Sequence, residues 1–303
     1  MIMISDLSPV WKISHPGTHQ YIKNNDFKSI VIGAKAYLPP EEARKAMESR
    51  GLTYPQKVVS VHMLKGGVGK TTIALNVGIR AAMYGARVLL IDLDQQANLS
   101  FALDIMDENS EVWVDLLEGK CGIDNIIREH APNLHIIPSN LNNSVLDKTI
   151  LNGKRNVATA VSQYLEPVMD RYDLVLIDTA PNLSAINTAA ACASDLVILP
   201  VTPDKFSFDG LKKTFDDLDE VRREFEADFE KRVVFNKFDA RETSSHQLLK
   251  VCIAEYGDHM LQAFIRTSSE VKNTIRTGRT IFNKKSTAKE DYDVVTRELL
   301  GFA

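Results

Sequence analysis

The stretch "KVVSVHMLKGGVGKTTIAL", residues 57–75, decides the fold of this 303-residue chain. A β-branched apolar run leads into a glycine-rich turn, and residues with helical spacing follow at once. The glycines free the backbone to turn, so that successive N–H groups can point inward at phosphate oxygens. Those glycines are Gly66, Gly67 and Gly69. The stretch therefore predicts a strand, a phosphate-binding loop and a helix, in that order.

Two lysines flank these glycines and need separate explanations. The ordinary pattern G-x-x-x-x-G-K-[ST] has glycine where this chain has Leu64, and Lys65 follows it. Lys70 is the expected contact to the β- and γ-phosphates of ATP, or to the β-phosphate of ADP, and the Thr71 hydroxyl is the expected Mg²⁺ ligand. The predicted nucleotide contacts in the loop are Gly66, Gly67, Val68, Gly69, Lys70, Thr71 and Thr72. Lys65 has no role in the ordinary pattern.

Composition and charge limit the classes of function. The chain is 44% hydrophobic and 25% charged, as in ordinary soluble proteins, and its net charge of −4 predicts no general affinity for nucleic acid. Any DNA binding must come from a local basic patch. The three cysteines are far apart and lack metal-ligand spacing, so free thiols in a reducing cytosol are expected. The chain shows neither an apolar run of membrane-spanning length nor a signal peptide, which predicts a cytoplasmic protein.

From residue 57 onward, short β-branched runs alternate with longer segments of helical spacing. The predicted strands are 57–63, 87–93, 134–139, 173–179, 195–201, 232–237 and 261–266. The predicted helices are 71–84, 155–172, 207–225, 243–256 and 287–300. Gly85 stands where a helix end needs a left-handed residue. Several strands are apolar on both faces, so the alternation predicts an α/β fold with a doubly wound, mainly parallel sheet flanked by helices.

Acidic residues follow two of the predicted strands. The run "LLIDLDQQAN", residues 89–98, places Asp92 and Asp94 at a strand end, and "DLVLIDTAP", residues 173–181, ends an apolar run in Asp178. Carboxylates beside the phosphates can serve Mg²⁺ through water and position an attacking water. From the residues alone, Asp92 and Asp94 could equally cap a strand-to-loop exit.

The string "LKGGVGKTT", residues 64–72, resembles the deviant Walker A motif of the ParA/MinD family of P-loop ATPases. Later strings follow in the family's order: "DLDQQAN" is similar to D-x-D-P-Q-G-N, "DTAP" to D-[TC]-[PA]-P, and "LPVTPDKFSFDG" and "VVFNKFDAR" to two further segments. Gln95 and Ala97 depart from the family's proline and glycine, in a loop expected to switch with nucleotide state. The resemblance runs from Lys57 to the C-terminus.

This resemblance implies a dimeric ATPase whose catalytic residues are Lys65, Lys70 and Asp94. Lys65 would reach across the dimer interface to the partner's nucleotide, where a cation stabilises the charge of the transition state. Asp94 would be needed for hydrolysis. The implied metal residues are Thr71, Asp92 and Asp178.

The resemblance also implies where the adenine lies. Asn236 would contact the base, since a side-chain amide can pair with both donor and acceptor edges of the ring. Pro203 and Asp204 would line the same pocket. Without the resemblance, an asparagine at a strand end is an ordinary turn former.

A basic stretch near the C-terminus is the candidate DNA surface. Residues 266–289 carry seven lysines and arginines against the single acid Glu270. The predicted DNA contacts are Lys272, Arg276, Arg279, Lys284 and Lys285. ParA-type proteins bind DNA without sequence preference as ATP-bound dimers, and phosphate contacts suffice for such binding. The alternative is a solvated basic helix.

The two ends of the chain separate subtypes of the family. MinD-type proteins end in a basic amphipathic helix that lies on membrane, whereas "KEDYDVVTRELLGFA", residues 289–303, lacks a basic face and predicts a helix packed on its own domain. Residues 1–56 are predicted to be a partly helical N-terminal extension ahead of a ParA-like ATPase domain at 57–303. A helix at "PPEEARKAMESRG" could belong to a DNA-binding module, a dimerisation arm or a decoration. With no clear turn between two helices, sequence-specific DNA binding is not predicted.

The sequence therefore predicts a ParA-like ATPase for plasmid or chromosome partition, located in the cytoplasm on the nucleoid. Its expected ligands are ATP and Mg²⁺, and its expected partners are a second copy of the chain, nonspecific DNA and a ParB-type centromere-binding protein that stimulates slow hydrolysis. No membrane partner is expected. The alternatives are a positioning ATPase for a protein cargo, and a nucleotide-dependent transcriptional regulator that uses the N-terminal extension.

Overall fold

The computed structural model describes residues 1–271 and 280–302. Its strands are β1 (Ile2–Met3), β2 (Ile30–Ile32), β3 (Lys35–Leu38), β4 (Lys57–Val61), β5 (Val88–Asp92), β6 (Arg128–Ala131), β7 (Leu134–Ile137), β8 (Leu174–Asp178), β9 (Leu196–Val201) and β10 (Glu230–Phe235). Seven of them form one sheet in the order β10–β9–β4–β8–β5–β7–β6, parallel except for the β6–β7 pair. The predicted mainly parallel α/β fold is confirmed.

Helices cover both faces of this sheet. They are α1 (Ser8–Trp11), α2 (His15–Asn24), α3 (Pro40–Glu48), α4 (Lys70–Met83), α5 (Asn98–Ala102), α6 (Trp113–Leu117), α7 (Ile123–Ile126), α8 (Leu146–Asn152), α9 (Ser162–Leu165), α10 (Ala185–Cys192), α11 (Lys205–Glu224), α12 (Thr243–Tyr256) and α13 (Thr287–Leu300). On one face, α4 and α13 pack over the central strands; on the other lie α6, α8, α9 and α10. The helix α11 and Cys252 of α12 pack beside β9 and β10.

Two sequence-based predictions were wrong. The helix expected at 155–172 is broken into short pieces, with 3₁₀ turns at Val157–Thr159 and Glu166–Arg171 on either side of α9. Pro167 stands at the start of the second 3₁₀ turn, where it cannot donate a helical hydrogen bond. The strand expected at 261–266 forms only isolated bridges, at Met260 and Arg266.

The N-terminal residues pack into the same hydrophobic core as α4 and α13. Leu7, Leu38 and Met47 are fully buried in that core. Gly85, which ends α4 with φ +95° as predicted, leaves no room for a Cβ, because the backbone N of Arg44 would lie 2.6 Å away. The small antiparallel sheet β1–β3–β2 completes this segment.

A buried ionic network joins the N-terminal segment to the helices that cover the main sheet. Arg80 of α4 contacts Asp6 at 3.1 Å and Asp293 of α13 at 2.6 Å. Lys289 of α13 contacts the same Asp6 at 2.8 Å. Removing one member of such a network leaves an uncompensated buried charge, so loss of Asp6 or Asp293 should destabilise the packing of α4, α13 and the N-terminal segment.

Candidate nucleotide-binding site

The loop between β4 and α4 turns through two glycines that adopt left-handed backbone. Gly67 has φ +76° and Gly69, the N-cap of α4, has φ +101°. Both conformations are open to glycine and strained for other residues. The fourteen-residue helix α4 starts immediately after the loop, at Lys70, and its N-terminal N–H groups and dipole favour an anion there.

The end of β10 holds this loop in place. The Asn236 side-chain amide donates to the Val68 carbonyl at 2.7 Å, and the Lys237 Nζ donates to the Gly67 carbonyl at 2.5 Å. A Cβ at Gly69 would lie 2.3 Å from the Asn236 amide nitrogen, so only glycine fits at that position. Sequence reasoning missed Lys237, although it directly follows Asn236 in the quoted string. The adenine contact of Asn236 stays a prediction, since its amide is engaged with the loop in this structure.

Lys70 is directed into the protein toward two carboxylates. Its side chain is buried and its Nζ donates to the Met63 carbonyl at 3.4 Å. Burial lowers its pKa, while the charges of Asp178 and Asp94 oppose that shift. The structure thus brings Lys70 together with both predicted acids.

Asp178 is the least satisfied polar group of the site. It is fully buried at the end of β8, and among the described residues neither carboxyl oxygen has a hydrogen-bond partner. Burial, with the neighbouring charge of Asp92, raises its pKa to about 8. A buried carboxylate of this kind calls for a cation, and Mg²⁺ with its water ligands fits the oxygen chemistry of Asp178 and Thr71.

Asp92 is engaged differently from Asp178, its partner in the β5–β8 register. Its oxygens accept from the Asp94 N–H at 3.2 Å and from the Ser100 N–H and hydroxyl at 2.9 and 2.7 Å. Burial raises its pKa to about 7. Asp92 therefore anchors the start of α5, and its predicted service to the metal, through water, stays a prediction. Sequence reasoning did not single out Ser100.

The loop between β5 and α5 contains a strained residue. Ala97, which stands where the family pattern has glycine, has φ +51°. A left-handed conformation costs a residue with a Cβ about 1 kcal/mol relative to glycine. The carboxyl and carbonyl of Asp94 accept from the N–H groups of Gln96 and Ala97 at 2.9 and 2.8 Å, which holds the turn.

Lys65 is ion-paired within its own chain. Its Nζ donates to Asp204, which also caps α11 by accepting from the Ser207 N–H at 2.9 Å and accepts from the Thr202 hydroxyl at 2.7 Å. The pair is part-exposed, with side-chain exposures of 33% and 41%. Hydrogen bonds from Lys65 and its neighbours outweigh burial and lower the pKa of Asp204.

A cleft of about 640 Å³ opens beside the phosphate loop. Its walls are Gly66, Gly67, Gly69, Lys70, Thr71, Thr72, Asp94, Gln96, Asn98, Pro181, Asn236, Lys237, Ile265, Arg266, Thr267, Ser268, Val271 and Tyr292. The Tyr292 hydroxyl is buried without a hydrogen-bond partner in the described part of the chain. Sequence reasoning missed Tyr292 and the wall at 265–268. Pro203 and Asp204 are not in these walls, and their adenine role stays a prediction.

Only part of the predicted DNA surface can be placed. Lys272, Arg276 and Arg279 lie outside the described residues, whereas Lys284 and Lys285 are exposed just before α13. Two other cations of the basic stretch form ion pairs inside the protein, because Arg266 contacts Asp291 at 2.5 Å and Lys289 contacts Asp6. The net positive charge that this stretch offers to a partner is therefore smaller than its composition suggests.

The C-terminal helix packs inward. The side of α13 that carries Tyr292, Val295 and Leu299 is buried against α4, which confirms the predicted packing on the chain's own domain. Across residues 1–271 and 280–302, no helix has both the length and the apolar character needed to cross a membrane.

Comparison with known proteins decides the family. A family model described as an AAA domain matches residues 56–231, more than half of the chain. The chromosome partitioning protein ParA of Caulobacter vibrioides is 30% identical over 254 residues, covering 82% of this chain and 95% of that protein. This chain belongs to the ParA/MinD family of P-loop ATPases. The resemblance drawn from the quoted motifs is confirmed.

Solved structures share the ParA/MinD fold. Apo McdA of Cyanothece has a TM-score of 0.74 at 21% identity, covering 81% of this chain and 100% of that one. Cobyrinic acid a,c-diamide synthase of Mycobacterium smegmatis, with bound ATP analogue and magnesium, has a TM-score of 0.72 at 23% identity, covering 81% and 94%. At this identity the likeness establishes the fold alone, and one fold supports several activities.

Proposed function

We propose that this protein is an ATP-driven partition ATPase of the ParA type. The observation that carries the proposal is the phosphate-loop cleft, where Lys70 and Thr71 lie beside Asp94 and a buried Asp178 that has no hydrogen-bond partner within residues 1–271 and 280–302. A nucleoside triphosphate supplies the anionic oxygens that Lys70 and the N-terminus of α4 attract. In support, the solved neighbour with bound ATP analogue and magnesium has the same fold.

Four residues of the site have separate parts in hydrolysis. Lys70 binds the β- and γ-phosphates. Thr71 and Asp178 would hold Mg²⁺, which would supply positive charge against the phosphates. Asp94 accepts a hydrogen bond from the attacking water and orients it in line with the phosphoryl group.

The base side of the cleft orients the nucleotide. Asn236 and the Tyr292 hydroxyl supply polar partners for the edges of adenine, and Ile265 supplies apolar contact. The Asn236 amide now holds the Val68 carbonyl, so nucleotide binding and loop position are linked through one side chain.

Lys65 makes hydrolysis depend on dimerisation. In the single chain it is satisfied by Asp204, at the start of α11. In the ATP-bound dimer it leaves Asp204 and contacts the partner's nucleotide, whose phosphate charge is the larger attraction. Turnover is slow in the single chain because the site lacks this cation.

The ATP-bound dimer binds the phosphates of the DNA backbone, and Lys284 and Lys285 are among the residues that contact them. A ParB-type partner then stimulates hydrolysis and releases the dimer from the nucleoid. The relationship to the chromosome partitioning protein ParA of Caulobacter vibrioides supports a DNA cargo.

Retention of random-sequence duplex DNA tests the proposal. The protein is mixed with plasmid-sized DNA in ATP and Mg²⁺, in ADP and Mg²⁺, and without nucleotide. Retention only with ATP, falling steeply with salt, is the expected result. Equal retention in all three states would contradict an ATP-gated dimer.

A further inference from the structure

Lys237, two residues after the end of β10, contacts both ends of the nucleotide cleft. Its side-chain Nζ donates to the Gly67 carbonyl of the phosphate loop at 2.5 Å. Its backbone carbonyl accepts from the Thr267 hydroxyl at 2.9 Å, in the cleft wall at 265–268. The phosphate loop and the opposite wall of the cleft are therefore joined through one residue.

The backbone of Lys237 is held in an unusual conformation. Its φ is +57°, in the left-handed region that costs free energy for a residue with a Cβ. Its N–H donates to the Asn236 Oδ1 at 2.8 Å, and the next N–H, that of Phe238, donates to the Ile265 carbonyl at 3.0 Å. Strained residues of this kind persist where several contacts fix them, and they cluster at functional sites. These contacts fix the point from which the Lys237 side chain reaches the phosphate loop.

Peptide geometry links the Lys237 contact to phosphate binding. In a trans peptide, the carbonyl and the N–H of the following residue point in opposite directions, and the loop peptides are trans. Lys237 holds the Gly67 carbonyl, and Asn236 holds the Val68 carbonyl at 2.7 Å. The N–H groups of Val68 and Gly69 therefore point together, away from the end of β10. Two successive N–H groups with a common direction form a nest, which binds anions.

We propose that Lys237 is a positioning residue for phosphate, which holds the Gly67 carbonyl and thereby aims the Val68 N–H at the phosphate oxygens before a ligand arrives. Gly66, Gly67 and Gly69 give the loop backbone many conformations, so a contact from outside the loop is needed to select one. Donors that are already aimed bind an anion more tightly, because no reorganisation is required on binding. The inference rests on the proposed ATPase function and adds a residue that acts through the loop.

Direct binding of phosphate by Lys237 is the alternative. In the proposed function this part belongs to Lys70, which lies at the start of α4 and faces Asp94 and Asp178. The Nζ of Lys237 already has the Gly67 carbonyl as acceptor, so a direct contact with phosphate would release the loop. The two roles therefore differ in the protein without ligand, where only the positioning role acts on the loop.

Selective isotope labelling observes the Gly67–Val68 peptide alone. The dipeptide Gly-Val occurs once in the chain, so glycine labelled with ¹³C at the carbonyl and valine labelled with ¹⁵N give one carbonyl–amide NMR signal. In the ligand-free, full-length protein, Lys237→Met should shift this signal. Lys237→Arg should restore it, because a guanidinium can donate to the same carbonyl. The matched control is Lys250→Met, an exposed lysine on α12, which should leave the signal unchanged.

Titration with magnesium pyrophosphate measures the consequence for phosphate binding without a base. Lys237→Met should weaken this binding about tenfold, and Lys237→Arg should recover most of the loss. The affinity for MgADP should fall by the same factor, because the effect lies at the phosphate end. Circular dichroism should show Lys237→Met folded, since the side chain is exposed.

Three results would overturn the proposal. A Gly67–Val68 signal that is unchanged in ligand-free Lys237→Met, together with weaker pyrophosphate binding, would assign Lys237 to direct phosphate contact. Unchanged pyrophosphate affinity in Lys237→Met would show that the loop needs no such hold. Failure of the unmodified protein to bind pyrophosphate would overturn the inference together with the proposed ATPase function. DNA retention without ATP dependence, by contrast, would overturn the partition function alone.

Discussion

The phosphate end of the cleft and the Lys65–Asp204 pair differ in how far their charged groups are buried and paired. At the phosphate end, Lys70, Asp92 and Asp178 are buried, and both carboxyls have raised pKa values. The Lys65–Asp204 pair is part-exposed and satisfied. A buried group without a partner costs free energy, whereas an exposed ion pair stabilises by only about 0–1 kcal/mol. We therefore expect the first region to be stabilised by a bound ligand, and Lys65 in the second to leave Asp204 at little cost in free energy.

Removing Lys70 from the buried region should have the largest effect on nucleotide binding. Lys70→Ala removes the cation that faces both the phosphates and the two acids, so MgATP affinity should fall by about 100-fold or more. Isothermal titration with ATP and with ADP measures the loss. Lys148→Ala, an exposed lysine on α8, is the matched control and should bind normally. Retained affinity in Lys70→Ala would remove this residue from the site.

Asp94→Ala separates binding from hydrolysis within the same region. The variant should bind ATP and form the dimer, yet hydrolyse about 100-fold more slowly, because the attacking water loses its acceptor. Phosphate release and dimer mass, measured on one sample, should show a long-lived ATP-bound dimer. Hydrolysis at the normal rate would show that Asp94 does not orient the water.

The raised carboxyl pKa values predict a pH dependence. The pKa of Asp178 is about 8 in the folded protein, against 3.8 for the ordinary group, so it holds a proton at pH 6 that Mg²⁺ must displace. The Mg²⁺-dependent part of ADP affinity should therefore rise from pH 6 to 8, by up to about tenfold per pH unit, and level off above. Without ligand, stability should fall as pH rises from 4 to 8, because the unfolded chain releases this proton first.

Asp178→Asn is the control for this prediction. The amide cannot titrate, so the Mg²⁺-dependent ADP affinity and the stability should both change less with pH in the variant. Titrations at pH 6, 7 and 8, with and without Mg²⁺, and thermal melts over the same range measure them. Slopes equal to those of the unmodified protein would assign the titration to another group.

Releasing Lys65 from its part-exposed ion pair should have the smallest effect, and we expect it on dimerisation. Asp204→Asn keeps the cap on α11, because asparagine caps as well as aspartate, but it removes the charge that holds Lys65. ATP-dependent dimerisation should strengthen, by at most about fivefold. The control is Asp219→Asn, which breaks the Lys231–Asp219 pair elsewhere. If Asp204 instead contacts adenine, as the resemblance implies, Asp204→Asn should weaken ADP binding.

How much the sequence could predict differs between these regions for physical reasons. The phosphate loop and the strand-end acids were readable because each is a local string whose geometry follows from its own residues, as at Gly69 and Asp178. The sequence could not predict the contacts of Lys237 to Gly67 and of Lys65 to Asp204. These contacts join residues far apart in the chain and depend on how strands and helices pack in three dimensions.

The N-terminal segment shows a second limit. Its helix at Pro40–Glu48 was predicted from prolines, acids and a glycine at the expected positions. Its helices α1 and α2 were missed because the chain turns between them at Lys12, which adopts the left-handed conformation where a glycine would have given a visible signal. The break in the helix predicted at 155–172 was missed although the sequence shows a signal for it. Pro167 cannot donate a helical hydrogen bond, but the prediction relied on the helical spacing of the apolar residues.

The dimer mass of Lys65→Ala tests most directly the claim that one loop serves two nucleotides. The unmodified protein and the variant are compared by light scattering with a non-hydrolysable ATP analogue and Mg²⁺, and by titration with ADP. We expect a dimer for the unmodified protein, a monomer for Lys65→Ala, and equal ADP affinity for both. A variant that dimerises normally with the analogue, or that loses ADP binding as a single chain, would contradict it.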